Sequence, residues 1–187
     1  MAEHESQARA SPDSPTPIRV MATGVFDLLH LGHLHFLRQA RALGSELVVV
    51  VARDVTAERF KHRPIVPERL RVQMVGALKP VDIAVLGDEQ DYYKVVETFR
   101  PDLIALGYDQ HWNEERLASD LQARGLHPKI VRLPVLQHDL HATRRIIGRI
   151  LSLYDIDGER RDPSGAEPSE HSAQSLEELF EGPKEVR

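Results

Sequence analysis

The sequence predicts an α/β domain built on a five-stranded parallel sheet. Short runs rich in Val, Ile and Leu alternate with longer stretches whose apolar residues recur three or four apart. Aromatic residues make up only 5% of the chain, which favours aliphatic parallel strands covered by helices. Strands that alternate with helices are joined by right-handed crossovers, so we expect one doubly wound domain.

Five strands and five helices are predicted in alternation. The strand runs, each short and largely aliphatic, are 18–23, 47–52, 82–86, 103–106 and 130–133. The helical stretches are 33–43, 68–78, 91–99, 114–124 and 143–153. Pro67 suits the start of the second helix, and Gly44, Pro101 and Gly125 follow the first, third and fourth. Ligands of such sheets bind beyond the carboxyl ends of the strands, so chemistry is expected in the segments that follow them.

The predicted domain, residues 18–154, lies between two polar tails. Residues 1–17 and 155–187 bury too little apolar surface to offset the entropy of ordering, so we expect both to be disordered. A short helix near 175–180 is left open, because Ser175 and Glu178 resemble a capping box.

Composition narrows the possible partners and locations. The net charge of −5 is concentrated in the tails, and residues 18–154 carry +3. Such a mildly basic domain suits anionic small molecules better than nucleic acid. No apolar run approaches the roughly 20 residues that span a bilayer, and the N-terminus has no apolar signal core. We therefore expect no membrane or nucleic-acid partner and a cytoplasmic location, which the absence of Cys fits.

A candidate phosphate site directly follows the first predicted strand, where the chain reads Thr23-Gly-Val-Phe-Asp27-Leu-Leu-His30-Leu-Gly-His33. Gly24 lets the backbone approach a ligand, and a helix begins next, whose N-terminal N–H groups and dipole favour an anion. His30 and His33, three residues apart, can point to one side and donate to the same anion. Neither a Gly-x-Gly-x-x-Gly motif nor a P-loop is present.

The whole pattern, Thr-x-Gly-x-Phe-Asp-x-x-His-x-Gly-His, resembles the signature of the Rossmann-like, cytidylyltransferase-like nucleotidyltransferases. The resemblance covers residues 18–153. It implies that His30 and His33 are catalytic: they contact the triphosphate while an acceptor phosphate attacks the α-phosphorus, with Mg²⁺ aiding pyrophosphate departure. It also implies a role for Asp27 in metal contact or loop organisation. Further nucleotide contacts are expected from the same loop, at Thr23, Gly24, Val25 and Phe26.

A basic segment between the second strand and the second helix resembles the family's acceptor-binding region. It contains Lys61, Arg63 and Arg71 among several Pro residues. Arg71 falls where the family places a helix Arg and is the preferred phosphate ligand. Lys61 and Arg63 are either further phosphate ligands or solvated charges.

The segment after the fourth strand, Gly107-Tyr108-Asp109-Gln110, resembles archaeal-type FAD synthases, which transfer AMP from ATP to FMN. Cytidylyltransferases acting on glycerol phosphate usually have Gly-Asp-Asp-Trp there. Asp109 matches the Asp that both groups share and is expected to bind the nucleotide. Tyr108 is either an acceptor contact or an ordinary loop residue, and Gln110 is likewise either a site residue or an ordinary loop residue.

The start of the last helix departs from the family pattern. A Ser/Thr-rich turn is expected, but the chain reads His141-Ala-Thr143-Arg144-Arg145. Thr143 suits a helix N-cap, and the resemblance implies that it also contacts the nucleotide. Arg144 can replace hydroxyl contacts to the triphosphate with a charged fork. The alternative is that both arginines face solvent.

The resemblance favours an FMN adenylyltransferase with ATP and FMN as substrates and Mg²⁺ as cofactor. Two alternatives stay open: a CTP-dependent cytidylyltransferase for glycerol 3-phosphate or a related polyol phosphate, and a non-catalytic nucleotide-binding regulator. Intact His30 and His33 argue against the regulator. The aromatic candidates for contact with the isoalloxazine ring are Phe26, Tyr108 and Trp112. A homodimer is also left open, since many relatives dimerise.

Overall fold

The computed structural model describes residues 17–60, 63–137 and 142–154. The predicted tails, apart from Pro17, lie outside these ranges. The described residues up to Thr143 form one compact unit, and those from Arg144 onward belong to a second. The strands are β1 (Arg19–Gly24), β2 (Glu46–Val51), β3 (Ile83–Leu86), β4 (Leu103–Leu106) and β5 (Lys129–Arg132). The helices are α1 (Leu31–Arg41), α2 (Asp54–Phe60), α3 (Glu68–Gly76), α4 (Lys94–Phe99), α5 (Glu114–Ala123) and α6 (Thr143–Leu153).

The sheet is parallel throughout, with strand order β3-β2-β1-β4-β5. The predicted α/β class and five-stranded parallel sheet are therefore confirmed. The chain moves outward from β1 to β3 on one side and from β4 to β5 on the other. The direction reverses between β1 and β4, and in such sheets the crevice outside the carboxyl ends at this switch is where ligands bind.

Alternate strand residues face two separate cores, as the pleat requires. On one face, Val20 and Ala22 of β1 pack with buried residues of α1 and α3. On the other face, Met21 packs with buried residues of α4 and α5. Helices therefore cover both faces of the sheet, which is the doubly wound arrangement predicted.

The sequence analysis did not predict α2, the short helix after β2. The segment contains the β-branched residues Val55 and Thr56, which weaken a helical pattern, and seven residues are too few for a clear periodic signal. The helix begins as the Ala57 N–H donates to the Arg53 carbonyl at 2.9 Å. Burial of Ala57 against the domain then favours the helix despite its weak propensity.

A fully buried arginine, Arg71 of α3, joins the segments that follow β1 and β2. Its guanidinium donates to the carbonyl of Val25 beyond β1, to the carbonyl of Ala52 beyond β2 at 2.8 Å, and to the Asp54 carboxylate at 2.6 Å. Its Nε donates to the Val66 carbonyl at 2.8 Å. These partners satisfy a buried charge that would otherwise be costly.

The prediction that Arg71 is a phosphate ligand therefore needs correction. The side chain has no solvent exposure, and its donors point at backbone carbonyls and Asp54. A family position can be identified from sequence spacing, but spacing does not reveal whether a guanidinium faces the ligand or the protein interior.

Arg71→Ala is expected to lower the free energy of unfolding by at least about 3 kcal/mol, because it leaves buried carbonyls without their donor. Arg69→Ala is the matched control: it removes an exposed arginine from the same helix and should change stability by no more than about 0.5 kcal/mol. Urea unfolding followed by circular dichroism measures both. Equal stability of the two variants would contradict the structural role of Arg71.

Candidate active site

The two signature histidines lie where β1 gives way to α1. His30 is the N-cap residue of α1, with extended backbone angles (φ −144°, ψ 172°), and its Nδ1 accepts the His33 N–H at 3.3 Å. An accepting Nδ1 places the proton of a neutral ring on Nε2. The two rings stack with centroids 3.8 Å apart and planes 15° apart. The predicted pairing of His30 and His33 at a helix N-terminus is thus present in the structure.

The turn that precedes the histidines depends on Gly24 and Phe26. Phe26 adopts a left-handed conformation (φ 52°), which is uncommon for a bulky residue and costs free energy. Its buried ring lies against Gly24, where an added Cβ would come within 2.7 Å of the ring. The ring also contacts His33, with centroids 5.2 Å apart. Gly24 and Phe26 together turn the chain, and the Phe26 ring packs against His33 of the histidine pair.

This geometry corrects one expectation for Phe26. Its side chain belongs to the hydrophobic core, so it does not offer an aromatic surface to an isoalloxazine ring. Sequence alone identifies an aromatic residue near a signature but not the strained backbone that turns it inward. Nucleotide contact through the backbone of residues 23–26 stays a prediction.

Asp27 organises the segment between α2 and α3. The carboxylate is buried, and its two oxygens accept the backbone N–H groups of Ile65 at 3.0 Å and Val66 at 2.8 Å. Of the two roles considered for Asp27, these contacts support loop organisation. Metal contact by Asp27 stays a prediction.

The loop after β4 approaches the end of β1 through Gln110. Its Nε2 donates to the Thr23 carbonyl at 2.5 Å, and its Oε1 accepts the Gly107 N–H at 3.1 Å. Tyr108 and Asp109, the predicted site residues of this loop, have exposed side chains between these two anchors. The structure therefore brings Asp109 and Tyr108 to the switch point beside the signature. For Gln110 the sequence left a site residue or an ordinary loop residue open, and its two side-chain hydrogen bonds give it an anchoring role.

A second charged network lies between β2 and α3. Arg53 donates to the Gly87 carbonyl at 2.8 Å and to Glu68 at 2.7 Å. Desolvation of the Glu68 carboxyl raises its pKa, but hydrogen bonds from the Asp54 N–H and from Arg53 outweigh it and hold the pKa below its ordinary value. Glu68 is therefore ionised at neutral pH and pairs with Arg53.

The other predicted phosphate ligands differ in position. The side chain of Arg63, between α2 and α3, is 85% exposed, with its Nε 3.6 Å from Glu58. Lys61 lies outside the described residues. Thr143 is the first residue of α6, whereas an N-cap residue would lie just before the helix. Arg144, the next residue, is exposed. Phosphate contact by Arg63, Thr143 and Arg144 stays a prediction.

The described residues contain no group of three or more His, Asp or Glu side chains placed to hold a metal ion. In the same part of the chain, no helix has the length and apolar character needed to cross a membrane.

Known proteins resemble this chain over most of its length. A family model described as cytidylyltransferase-like matches residues 21–145. A FAD synthase of Aciduliprofundum boonei is 56% identical over 139 residues, which cover 74% of this chain and 93% of that protein. A FAD synthase of Methanothrix thermoacetophila is 51% identical over 137 residues, covering 73% of this chain and 95% of that protein. One of Archaeoglobus profundus is 47% identical, covering 73% and 88%.

Solved structures support the fold. A protein of Thermoplasma volcanium GSS1, described as a lipopolysaccharide core biosynthesis protein, matches with a TM-score of 0.64 and 50% identity, covering 65% of this chain and 100% of that one. A protein of unknown function from Archaeoglobus fulgidus, at 19% identity and a TM-score of 0.52, shares the fold. The matched family model, the relatives and the signature geometry together show that this chain belongs to the cytidylyltransferase-like family.

Proposed function

We propose that this protein is an FMN adenylyltransferase, which transfers AMP from ATP to FMN and releases FAD and pyrophosphate. The observation that carries the proposal is identity of 47–56% to FAD synthases over 88–95% of their length. The paired histidines at the N-terminus of α1 supply the matching chemistry. The intact histidine pair argues against a regulator that has lost catalysis.

The reaction requires positioning and charge stabilisation rather than a covalent intermediate. An oxygen of the FMN phosphate bonds to the α-phosphorus as the bond to the bridging oxygen breaks, and pyrophosphate leaves with that oxygen. The N-terminal N–H groups of α1 favour the triphosphate. His30 and His33 would donate hydrogen bonds to phosphate oxygens whose charge grows during transfer. The attacking phosphate oxygen is already anionic, so no carboxylate base is needed.

The acceptor would lie beyond the carboxyl ends of β1 and β4. Tyr108 is 49% exposed at the tip of the β4 loop and, with Phe26 buried, is the better placed of these two aromatic residues to contact the isoalloxazine ring. Trp112 is half-buried and meets Tyr92 edge-on, with centroids 6.5 Å apart. Arg63, together with Lys61 from the undescribed residues 61–62, is the proposed ligand of the FMN phosphate.

Mg²⁺ belongs to this proposal as part of the ATP substrate. Among the described residues, no group of three or more His, Asp or Glu side chains is placed to hold a metal ion, and the buried Asp27 carboxylate accepts two backbone N–H groups. Mg²⁺ commonly keeps several waters and binds substrate phosphates with only one or two protein carboxylates. We propose that the enzyme works in the cytoplasm, as expected for a chain that uses ATP; the homodimer stays open.

His30→Ala and His33→Ala are each expected to lower kcat by about 10²-fold or more, because each removes a donor that stabilises charge in the transition state. His35→Ala is the matched control: it lies on the same helix, where its ring contacts Gln39, and should keep kcat within about threefold of the wild type. Steady-state FAD formation, with folding checked by circular dichroism, measures all three. Folded His30 and His33 variants with wild-type kcat would overturn their catalytic role.

Incubation with MgATP and FMN is expected to give FAD and pyrophosphate, whereas riboflavin, which lacks the phosphate nucleophile, should give no product. CTP with glycerol 3-phosphate is the parallel reaction for the alternative acceptor. Chromatography with mass detection identifies each product. CDP-glycerol without FAD would overturn the FMN assignment and leave the nucleotidyltransferase assignment intact.

A further inference from the structure

We propose that Arg132 is a positioning residue for nucleotidyl transfer, holding the loop of residues 107–112 beside the histidine signature. This proposal rests on the proposed function, because its test measures the formation of FAD. Arg132 is the last residue of β5 and pairs in register with Leu106, the residue just before this loop. Its side chain therefore starts beside the point where the loop leaves β4.

The guanidinium of Arg132 binds the loop at its start, middle and end. Nη1 donates to the carbonyls of Gly107 at 2.8 Å and Gln110 at 2.9 Å, and Nη2 donates to the Trp112 carbonyl at 3.0 Å. Nε donates to the carboxylate of Glu114, in the first turn of α5, at 2.8 Å. One planar group thus fixes the path of the loop and the start of the next helix together.

Gln110 transmits this constraint to the signature. Its backbone carbonyl accepts from Arg132 while its side chain donates to the Thr23 carbonyl at the end of β1. Tyr108 and Asp109 lie between Gly107 and Gln110, both of which Arg132 holds. The separation between these two side chains and the histidine pair therefore depends on Arg132.

Loss of this side chain should loosen the loop without unfolding the domain. Arg132 is partly exposed, at 31% of its side-chain surface, so water can take over part of its hydrogen bonding. A loop that must be ordered by the substrate binds it more weakly, because ordering then reduces the observed affinity. We expect the KM for ATP or FMN to rise at least about fivefold while kcat changes less than about threefold, in contrast to the histidine variants.

The chain carries its own reporter for this loop, because Trp112 is its single tryptophan. The test compares Arg132→Ala and Arg132→Lys with Arg124→Ala. Arg124 is a matched control: its side chain is 33% exposed and donates to Asp91 and Glu97, at 2.7 and 2.9 Å, neither of which belongs to the signature or to the 107–112 loop. KM and kcat are measured together with acrylamide quenching of Trp112, with and without MgATP.

The proposal predicts raised KM and stronger Trp112 quenching for Arg132→Ala, intermediate values for Arg132→Lys, and wild-type values for Arg124→Ala. Intermediate values are expected for Arg132→Lys because lysine keeps the charge but lacks the planar fork. If Arg132→Ala does not fold, Arg132→Lys is compared with the wild type instead. Unchanged KM in the Arg132 variants, or an equal KM increase in Arg124→Ala, overturns the positioning role.

Should the wild type form another nucleotidyl product instead of FAD, only the FMN assignment fails, and the variants are measured with that product. If no product forms, the test is the decrease in acrylamide quenching of Trp112 that MgATP causes. An equal decrease in the wild type and in Arg132→Ala overturns the proposal.

Discussion

The burial of the Arg71 guanidinium is the constraint on which the carboxyl edge of the sheet depends. A charge removed from water needs nearly all of its donors satisfied, and here the partners come from three separate segments: Val25 after β1, Ala52 and Asp54 after β2, and Val66 before α3. Satisfying one side chain therefore fixes three loops relative to each other. Asp27 completes the arrangement from the signature side by accepting the Ile65 and Val66 N–H groups.

Other arginine side chains also donate to backbone carbonyls along this edge, where the strands end and their carbonyls no longer face the N–H groups of a neighbouring strand. Arg53 donates to the Gly87 carbonyl after β3, and Arg132 donates to three carbonyls after β4. Three arginines near a proposed anion site thus serve the architecture first. The modest positive charge of the domain consequently overstates the number of cations that can contact substrate phosphates.

Sequence patterns predicted the bounds of all five strands to within one residue, because continuous aliphatic runs in a parallel sheet are short and bounded by turns. They also identified the histidine pair, since the spacing of His30 and His33 is a local property. The sequence did not predict contacts between residues far apart in the chain, or the direction in which a side chain points. The inward turn of Phe26 depends on a positive φ, the burial of Arg71 depends on partners from 5 to 46 residues away, and Gln110 acts on Thr23 across 87 residues.

The signature divides its residues between architecture and chemistry, and this division suits the reaction. Gly24 and Phe26 form the turn, Asp27 holds the neighbouring segment, and His30 and His33 are the signature side chains proposed to contact phosphate. Phosphoryl-type transfer gains most from groups that are already in place before charge develops, since reorganisation in the transition state would cost free energy. The strain at Phe26 persists because its ring is buried in the core, where packing against Gly24 and His33 over-determines the backbone. Core packing and the proposed catalytic geometry therefore share one side chain, so a substitution that relaxed Phe26 would move the histidine pair.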